Sequence, residues 1–196
     1  MRNLRYASFG LIVLLIGCNI QDLDFNNLKV ENLSDKNLFM TITKSGKPEL
    51  GQRVDIQSHL ELEVHYYDMN GNLIDETNLP HGKDFYAKVT VGNPGTFGSL
   101  ENLALTQIFP SGWEIINTRI LDLGGSLKSD ASDFVDFRDD RVNTFFSLSR
   151  SQKKTFIVLL NAAYQGKYYF PATQCSAMYN NEVSATSGGG WVNVVK

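Results

Sequence analysis

Three histidines are the residues of this chain that most directly suggest metal chemistry. They are His59, His65 and His81, and a zinc site needs histidine, cysteine or carboxylate ligands at short, recurring spacings. The spacing here fits no such pattern. His65 also alternates with apolar neighbours, which places it on the polar side of an extended segment. The sequence therefore predicts no metal site, and it indicates no cofactor.

Two other groups of side chains have the right types for catalysis but the wrong surroundings. Ser111 lies in Pro-Ser-Gly-Trp rather than in the Gly-x-Ser-x-Gly elbow of a nucleophilic serine, so we interpret it as a turn residue. Asp139 and Asp140 are adjacent carboxylates of the kind that acid–base catalysis uses. Arg138 and Arg141 flank them, and surface ion pairs are the simpler interpretation. We predict no catalytic residue.

Glycines and a cysteine near the C-terminus also have two interpretations. A run of glycines at 188–190 would suggest phosphate binding if it opened a helix. No helical pattern follows, so we expect a bend into the last strand. Cys175 has no adjacent histidine or lysine that would activate its thiol. We therefore predict that it fills space in the core as a small apolar residue.

Cys18 is the residue with the clearest chemical context. It follows the apolar run Phe9–Gly17, which is preceded by Arg2 and Arg5. That run is too short to span a bilayer and is typical of a secretory signal. Its end, Leu-Ile-Gly-Cys, resembles the lipobox of bacterial lipoproteins, in which the thiol receives a diacylglycerol. We predict a lipoprotein signal peptide at 1–17 and lipidation of Cys18; the alternative is a chance cysteine in an ordinary signal peptide.

The lipobox interpretation sets the expected location of the chain. Several acyl chains hold a protein firmly on a membrane, so we expect a lipid-anchored protein on the periplasmic face of the cell envelope. Asn19 rather than aspartate follows Cys18, which favours the outer membrane by the rule known for enteric lipoproteins.

The polar residues of 18–29 are interpreted as a tether. Acylation of Cys18 would leave Cys175 as the only thiol, so no internal disulfide is expected.

The charge balance argues against nucleic-acid binding. The chain has 18 Lys and Arg against 21 Asp and Glu, a net charge of -3. Removing 1–17 takes away two arginines and leaves 16 against 21, a net charge of -5. Nucleic-acid binding relies on basic residues that neutralise phosphates. A mildly acidic chain without a basic run offers no such surface.

The elements that position these residues follow a period of two. Leu60, Leu62, Val64 and Tyr66 alternate with polar residues, and so do Phe85 and its neighbours, as in half-buried strands. Turn signals separate such segments: Asn70-Gly71, Gly92–Gly95 and Pro110–Gly112. The sequence predicts an all-β, antiparallel β-sandwich. We assign it to 59–196 and interpret 30–58 as a strand segment at the junction with a preceding domain.

The C-terminal half contains the remaining predictions. Strands are expected near 101–109, 113–120, 143–148, 154–164 and 190–195, with a long surface loop at 121–133. Thr155–Leu160 is apolar without alternation, which indicates a strand deep in the core. We expect Trp113 and Trp191 in the core as well. An aromatic-rich hairpin around Gln165-Gly166 is predicted as a contact surface if exposed; it would contain Tyr164, Tyr168, Tyr169 and Phe170.

Four segments, in order and at their spacings, give the chain a family resemblance. They are Asn37–Gly46, Leu105–Glu114, Asp136–Val142, and Ala177-Met178-Tyr179 followed by Val183–Ala185 and a glycine-rich step into Trp191. From about Leu28 onward the chain resembles the end of bacterial α2-macroglobulins, which are multidomain periplasmic protease traps. The resemblance is to their C-terminal macroglobulin-like (MG10) domain, a β-sandwich.

The resemblance implies a role for one pair of residues. In that family an Ala-Met-Tyr segment covers the reactive thioester of a neighbouring domain and keeps water from it; the matching residues here are Met178 and Tyr179. Many relatives have Glu where this chain has Ser176, which removes a polar contact at that point. The family's thioester motif, Cys-x-Glu-Gln, is absent from the sequence. A covering role would therefore require a thioester-containing macroglobulin chain as partner.

The sequence thus predicts a non-catalytic envelope lipoprotein, a partner or fragment of a protease-trapping macroglobulin that cannot trap proteases alone. The alternative is a generic β-sandwich surface module that binds protein or glycan. A third hypothesis, an enzyme, would require Asp139, Asp140 and a histidine to meet in a deep pocket.

Overall fold

The computed structural model describes residues 54–116 and 127–196 of the 196-residue chain. In these two ranges the regular elements are thirteen β-strands, with turns and loops between them and no helix. Their bounds are β1 Ile56–Ser58, β2 Glu61–Asp68, β3 Asn78–Pro80, β4 Asp84–Gly92, β5 Leu100–Ile108, β6 Glu114–Ile116, β7 Phe134–Phe137, β8 Arg141–Leu148, β9 Lys153–Asn161, β10 Gly166–Phe170, β11 Thr173–Ala177, β12 Asn180–Ser187 and β13 Gly190–Val195.

The strands form three sheets. A six-stranded sheet has the order β1-β12-β11-β5-β8-β7, a four-stranded sheet the order β2-β4-β9-β6, and a three-stranded sheet the order β10-β13-β3. All pairings are antiparallel except that of β13 with β3, which is parallel. The predicted all-β, antiparallel sandwich is confirmed, with this one parallel pair as an exception.

Alternation along the strands builds two apolar clusters. In the first, Val89 and Val91 of β4 pack with Leu103 and Leu105 of β5 and with Phe146 of β8. The second is aromatic and contains Tyr66, Phe85, Phe109, Trp113 and Phe170 together with Val192 and Val194 of β13. Val64 packs against both clusters. The buried positions of β2 and β4 are those that the period of two predicts, except that Tyr86, which the pattern places on the polar side, is also buried.

The apolar run in β9 lies where its lack of alternation predicts. Phe156, Val158, Leu159 and Leu160 are buried. This strand pairs with β4 along its whole length and with β6 at its end, so both of its edges are hydrogen-bonded there. Burial of the consecutive residues Leu159 and Leu160 shows that both faces are covered at that end. The prediction of a deeply buried strand is confirmed for these residues.

The N-terminal boundary can be described only from Val54 onward. β1 pairs antiparallel with β12, with Ile56 opposite Thr186, so this end of the 30–58 segment forms the edge of the six-stranded sheet. The predicted signal peptide at 1–17, the tether at 18–29 and the rest of the junction segment lie outside the described residues. So do residues 117–126, which include the end of the predicted strand 113–120 and part of the predicted loop at 121–133.

Two predictions for the C-terminal half are wrong. The aromatic segment around Gln165-Gly166 is not a hairpin, because β9 pairs in the four-stranded sheet whereas β10 pairs with β13 in the three-stranded sheet. Trp191 is 44% exposed rather than in the core, whereas Trp113 is buried as expected. In β13 the side chains of Val192 and Val194 face inward, and the pleat therefore turns Trp191 outward.

Candidate functional site

Met178 and Tyr179 lie at the tip of the hairpin that joins β11 to β12. Ala177 pairs with Asn180, so the two residues form the whole connection. Their side chains are 47% and 84% exposed, respectively. Because both strands belong to the six-stranded sheet, the tip projects from its end as a small methionine–tyrosine surface.

The base of this hairpin is fixed by the neighbouring strand. The N–H of Met178 donates a hydrogen bond to the carbonyl of Asn102 at 3.0 Å, and Asn102 has a positive φ of 55°, a conformation in which asparagine is tolerated. The register of β11 and β12 shifts between Ser176 and Ala177, from the pair Ser176–Ser184 to the pair Ala177–Asn180, which marks an irregularity in the ladder next to the turn.

Small side chains explain how the hairpin packs on the sandwich. Cys175 and Ala177 of β11 point into the first cluster together with Val183 and Ala185 of β12. Cys175 is fully buried, and its burial raises the pKa of the thiol to about 12. A thiol with that pKa is not a nucleophile at neutral pH. Its predicted role as an apolar filler is confirmed, while Ser176 lies on the exposed side of the strand.

The histidines are not brought together. The ring of His59 packs edge-on against Phe97 with centroids 4.4 Å apart, and His65 lies 6.4 Å from the ring of Tyr67. His81 is exposed at the end of β3. Across residues 54–116 and 127–196, no three His, Cys, Asp or Glu side chains form a group that could hold a metal ion.

The charged residues of the β7–β8 turn form surface ion pairs. Arg141 donates two hydrogen bonds to Asp140, at 2.9 and 2.7 Å, and the pKa of Asp140 is lowered mainly by this contact. Arg138 donates to Asp136 at 2.8 Å rather than to either of the adjacent aspartates. The expected pairing is therefore found for Asp140 with Arg141.

Ser111 is exposed in a turn in which Trp113 N–H donates to the Pro110 carbonyl at 2.9 Å.

The two glycines before β13 contact other parts of the chain. Gly188 N–H donates to the Asp55 carboxylate at 2.7 Å. At Gly189 an added Cβ would lie 2.0 Å from the Phe170 carbonyl oxygen, so only glycine fits there. The sequence-based interpretation as a bend into the last strand holds, but sequence reasoning missed this close approach. A glycine immediately before a strand is the signal that could have indicated it.

Comparison with known proteins gives one family. The sequence model of the family described as the bacterial alpha-2-macroglobulin MG10 domain matches residues 60–182 of this chain. Salmonella alpha-2-macroglobulin reacted with methylamine is similar in structure, with a TM-score of 0.66 and 22% identity over 77% of this chain and 10% of its own. Escherichia coli alpha-2-macroglobulin from domain MG7 to the C-terminus gives a TM-score of 0.65 and 20% identity over 77% and 25%, respectively.

These structural similarities show a shared fold. The chain spans about a tenth of the length of Salmonella alpha-2-macroglobulin. No curated protein sequence matches the chain. In the part that the structure describes, no helix is long and apolar enough to cross a membrane. The family match, in contrast, covers more than half of the 196 residues and includes the Met178–Tyr179 tip. The chain therefore belongs to the family of bacterial alpha-2-macroglobulin MG10 domains.

Proposed function

We propose that this chain is a non-catalytic lipoprotein of the cell envelope that presents its MG10 domain to a thioester-containing macroglobulin chain. It would act as a partner, or as a fragment, of a protease-trapping macroglobulin. Neither Cys18 nor Cys175 stands in a Cys-x-Glu-Gln motif, so the chain has no residues from which to form a thioester. Covalent capture of a protease would have to come from the partner.

The observation that carries this proposal is the exposure of Met178 and Tyr179 at the hairpin tip. Two-residue hairpin turns favour Asn-Gly, Asp-Gly or glycine with a polar residue. A methionine and a tyrosine are not needed for the turn, and neither has the positive φ that would explain a special backbone role. Their residue types are better explained by what they contact outside this chain.

The chemistry of the pair suits a cover over a reactive bond. A thioester persists only where water is kept away from its carbonyl carbon, and closing a site against water is a recognised means of protecting a reactive group. Methionine is flexible enough to fill an irregular gap, and the tyrosine ring excludes water over a wide area. The hydrogen bond from Met178 N–H to Asn102 would hold the pair in place for binding.

We predict that the full chain binds a thioester-bearing macroglobulin from the same cell and slows hydrolysis of its thioester. The variant carrying Met178→Ala and Tyr179→Ala should bind about tenfold or more weakly, because anchor residues at an interface each contribute on the order of 1–2 kcal/mol. Association is measured by pull-down, and hydrolysis by the appearance of the partner's free thiol.

Phe134→Ala is the matched control for this experiment. Phe134 is an exposed aromatic residue on β7, at the far edge of the same six-stranded sheet, so its loss should leave both readouts unchanged. Absence of any association by the unaltered chain would refute the proposal. Equal weakening by Phe134→Ala would assign the contact to another part of the sheet.

The lipid anchor is tested independently of the hairpin. Cys18→Ala removes the only sulfur that can receive the diacylglycerol in the Leu-Ile-Gly-Cys segment. We expect this variant to move from the membrane pellet to the soluble fraction of fractionated cells, since lipid chains supply the binding energy. Cys175→Ala is the control and should remain in the pellet. Unchanged membrane retention of Cys18→Ala would rule out the anchor.

A further inference from the structure

The three-stranded sheet has an outer face that the MG10 assignment does not explain. Its strands alternate strictly, so that Phe170, Val192, Val194 and Leu79 point into the second cluster. Tyr168 packs against the same cluster from β10, and the alternate side chains of these strands point away from the core. We name these outward residues the aromatic face: Lys167, Tyr169, Trp191, Asn193, Val195, Asn78 and Pro80.

Two exposed rings and a lysine dominate the aromatic face. Trp191 and Tyr169 are paired across β13 and β10 and are 44% and 40% exposed. The Lys167 ammonium lies 5.1 Å from the centroid of the Trp191 ring. Asn193 Nδ2 donates to Asn78 Oδ1 at 2.9 Å, and none of the seven outward residues of these fully described strands is acidic. Tryptophan, tyrosine and lysine are the residues that lie at a membrane–water boundary.

The geometry of the rings disfavours a sugar as ligand. The Trp191 and Tyr169 rings have centroids 5.7 Å apart and planes inclined by 71°. A sugar that stacks on protein aromatics requires open and roughly level ring faces, whereas here Lys167 lies over the indole and the second ring stands across it. The two rings therefore do not form a flat platform.

The size of the aromatic face disfavours a folded protein as ligand. Three strands at a spacing of about 4.8 Å and a length of about five residues give a face of roughly 10 by 17 Å. That is far below the roughly 800 Å² that each partner contributes to a stable protein–protein interface. A bilayer surface has no such minimum area, because each interfacial ring contributes independently.

The position at which the N-terminal segment joins the domain gives a second, independent observation. The carboxylate of Asp55, close to the first described residue Val54, accepts the hydrogen bond from Gly188 N–H at 2.7 Å. Gly188 is three residues before Trp191, a separation of about 11 Å at most. Val54, from which the chain would lead back to the lipidated cysteine, therefore lies near the aromatic face.

We propose that the aromatic face rests on the lipid headgroups of the bilayer in which Cys18 is anchored. This proposal depends on the lipid anchor proposed above. A few aromatic rings bind a bilayer weakly, but a tethered surface meets the membrane at a high effective concentration, so weak contact is sufficient. Since the chain without residues 1–17 carries a net charge of -5, the rings rather than electrostatic attraction must supply the contact.

The two tryptophans allow a direct test. The full chain is purified in detergent from cells that process its N-terminus and is reconstituted in phosphatidylethanolamine–phosphatidylglycerol vesicles whose acyl chains are brominated. Its fluorescence is compared with that of Trp191→Phe. We expect bromine to quench most of the emission that Trp191 contributes. The remaining emission of Trp191→Phe should be unaffected, because Trp113 is buried in the second cluster. Quenching should persist in about 0.5 M salt, where exposed charges are screened.

A relocated tryptophan distinguishes an oriented contact from mere proximity. Tyr179→Trp in the Trp191→Phe background places the probe at the 84% exposed hairpin tip. The whole length of β12 separates this tip from Gly188, about 23 Å at 3.3 Å per residue, and we expect no quenching there. Equal quenching at both positions would overturn the oriented contact.

Vesicle co-sedimentation without quenching of Trp191 would overturn the aromatic-face proposal alone. Failure to co-sediment would overturn both the lipid anchor and the aromatic-face proposal. A Trp191 response to soluble peptidoglycan fragments but not to bromolipid would make the face a glycan site instead.

Discussion

Replacing Phe85 with alanine should lower the free energy of unfolding by about 3–5 kcal/mol, the usual cost of removing a buried phenylalanine. Phe85 is fully buried in β4. Its ring centroid lies 5.0 Å from that of Trp113 in an edge-to-face arrangement and 6.3 Å from that of Tyr66. Because β4 is hydrogen-bonded on both sides, by β2 and β9, the backbone cannot shift easily to close the cavity.

The measurement is equilibrium unfolding in urea, followed by far-ultraviolet circular dichroism, with the unaltered chain and Phe134→Ala alongside. Phe134 is 60% exposed, so the same chemical change there should alter stability by no more than about 0.5 kcal/mol. A loss of about 3 kcal/mol or more is a large part of the about 5–15 kcal/mol that stabilises a typical domain. Similar losses for the two variants would show that the second cluster does not hold the sandwich together.

Local alternation was sufficient to predict several strands but not the sheets to which they belong. β2, β4 and β5 bury every second residue over much of their length, so their pattern is visible in the sequence. The short strands β3 and β10 have too few residues to show a period. Their partners are also distant in the chain: β3 pairs with β13, and Asn78 lies opposite Asn193.

The error at Gln165-Gly166 has a specific physical cause. Turn residues indicate that the chain changes direction, but they do not determine which strand it pairs with next. Here the chain leaves β9 and crosses to the three-stranded sheet, where Phe170 joins Tyr66 and Trp113 in the second cluster. Burial of that ring favours the crossing, and it depends on residues more than 50 positions away in the sequence.

Trp191 could have been placed correctly from the sequence, whereas the Met178–Tyr179 turn could not. Val192 and Val194 are apolar and share one side of a strand, which leaves Trp191 on the side of Asn193. Met-Tyr, in contrast, is not a turn signal. Only the family resemblance singled out these two residues, and their exposure became apparent from the pairing of Ala177 with Asn180.

Replacing Gly189 with alanine should destabilise the chain by about 3 kcal/mol, at the upper end of the usual cost of overpacking. A methyl group there would lie 2.0 Å from the Phe170 carbonyl oxygen and 2.7 Å from the carbonyl carbon of Pro171. These are backbone atoms, so no change of rotamer can relieve the clash. Phe170 and Gly190 are register partners of β10 and β13, and moving the backbone would strain the three-stranded sheet at that pair.

Gly82→Ala separates this steric effect from the conformational freedom of glycine. Gly82 has a positive φ of 77°, and nothing lies within 4 Å of its added Cβ, so alanine there should cost only about 1–2 kcal/mol. Urea unfolding of both variants gives the comparison. Because the clash at Gly189 lies next to Trp191, its variant should also shift the tryptophan emission of the folded protein, while Gly82→Ala should not. A Gly189→Ala variant as stable as Gly82→Ala would mean that β10 and β13 can separate without loss of unfolding free energy. The close packing of the three-stranded sheet against the second cluster would then contribute little to the stability of the fold.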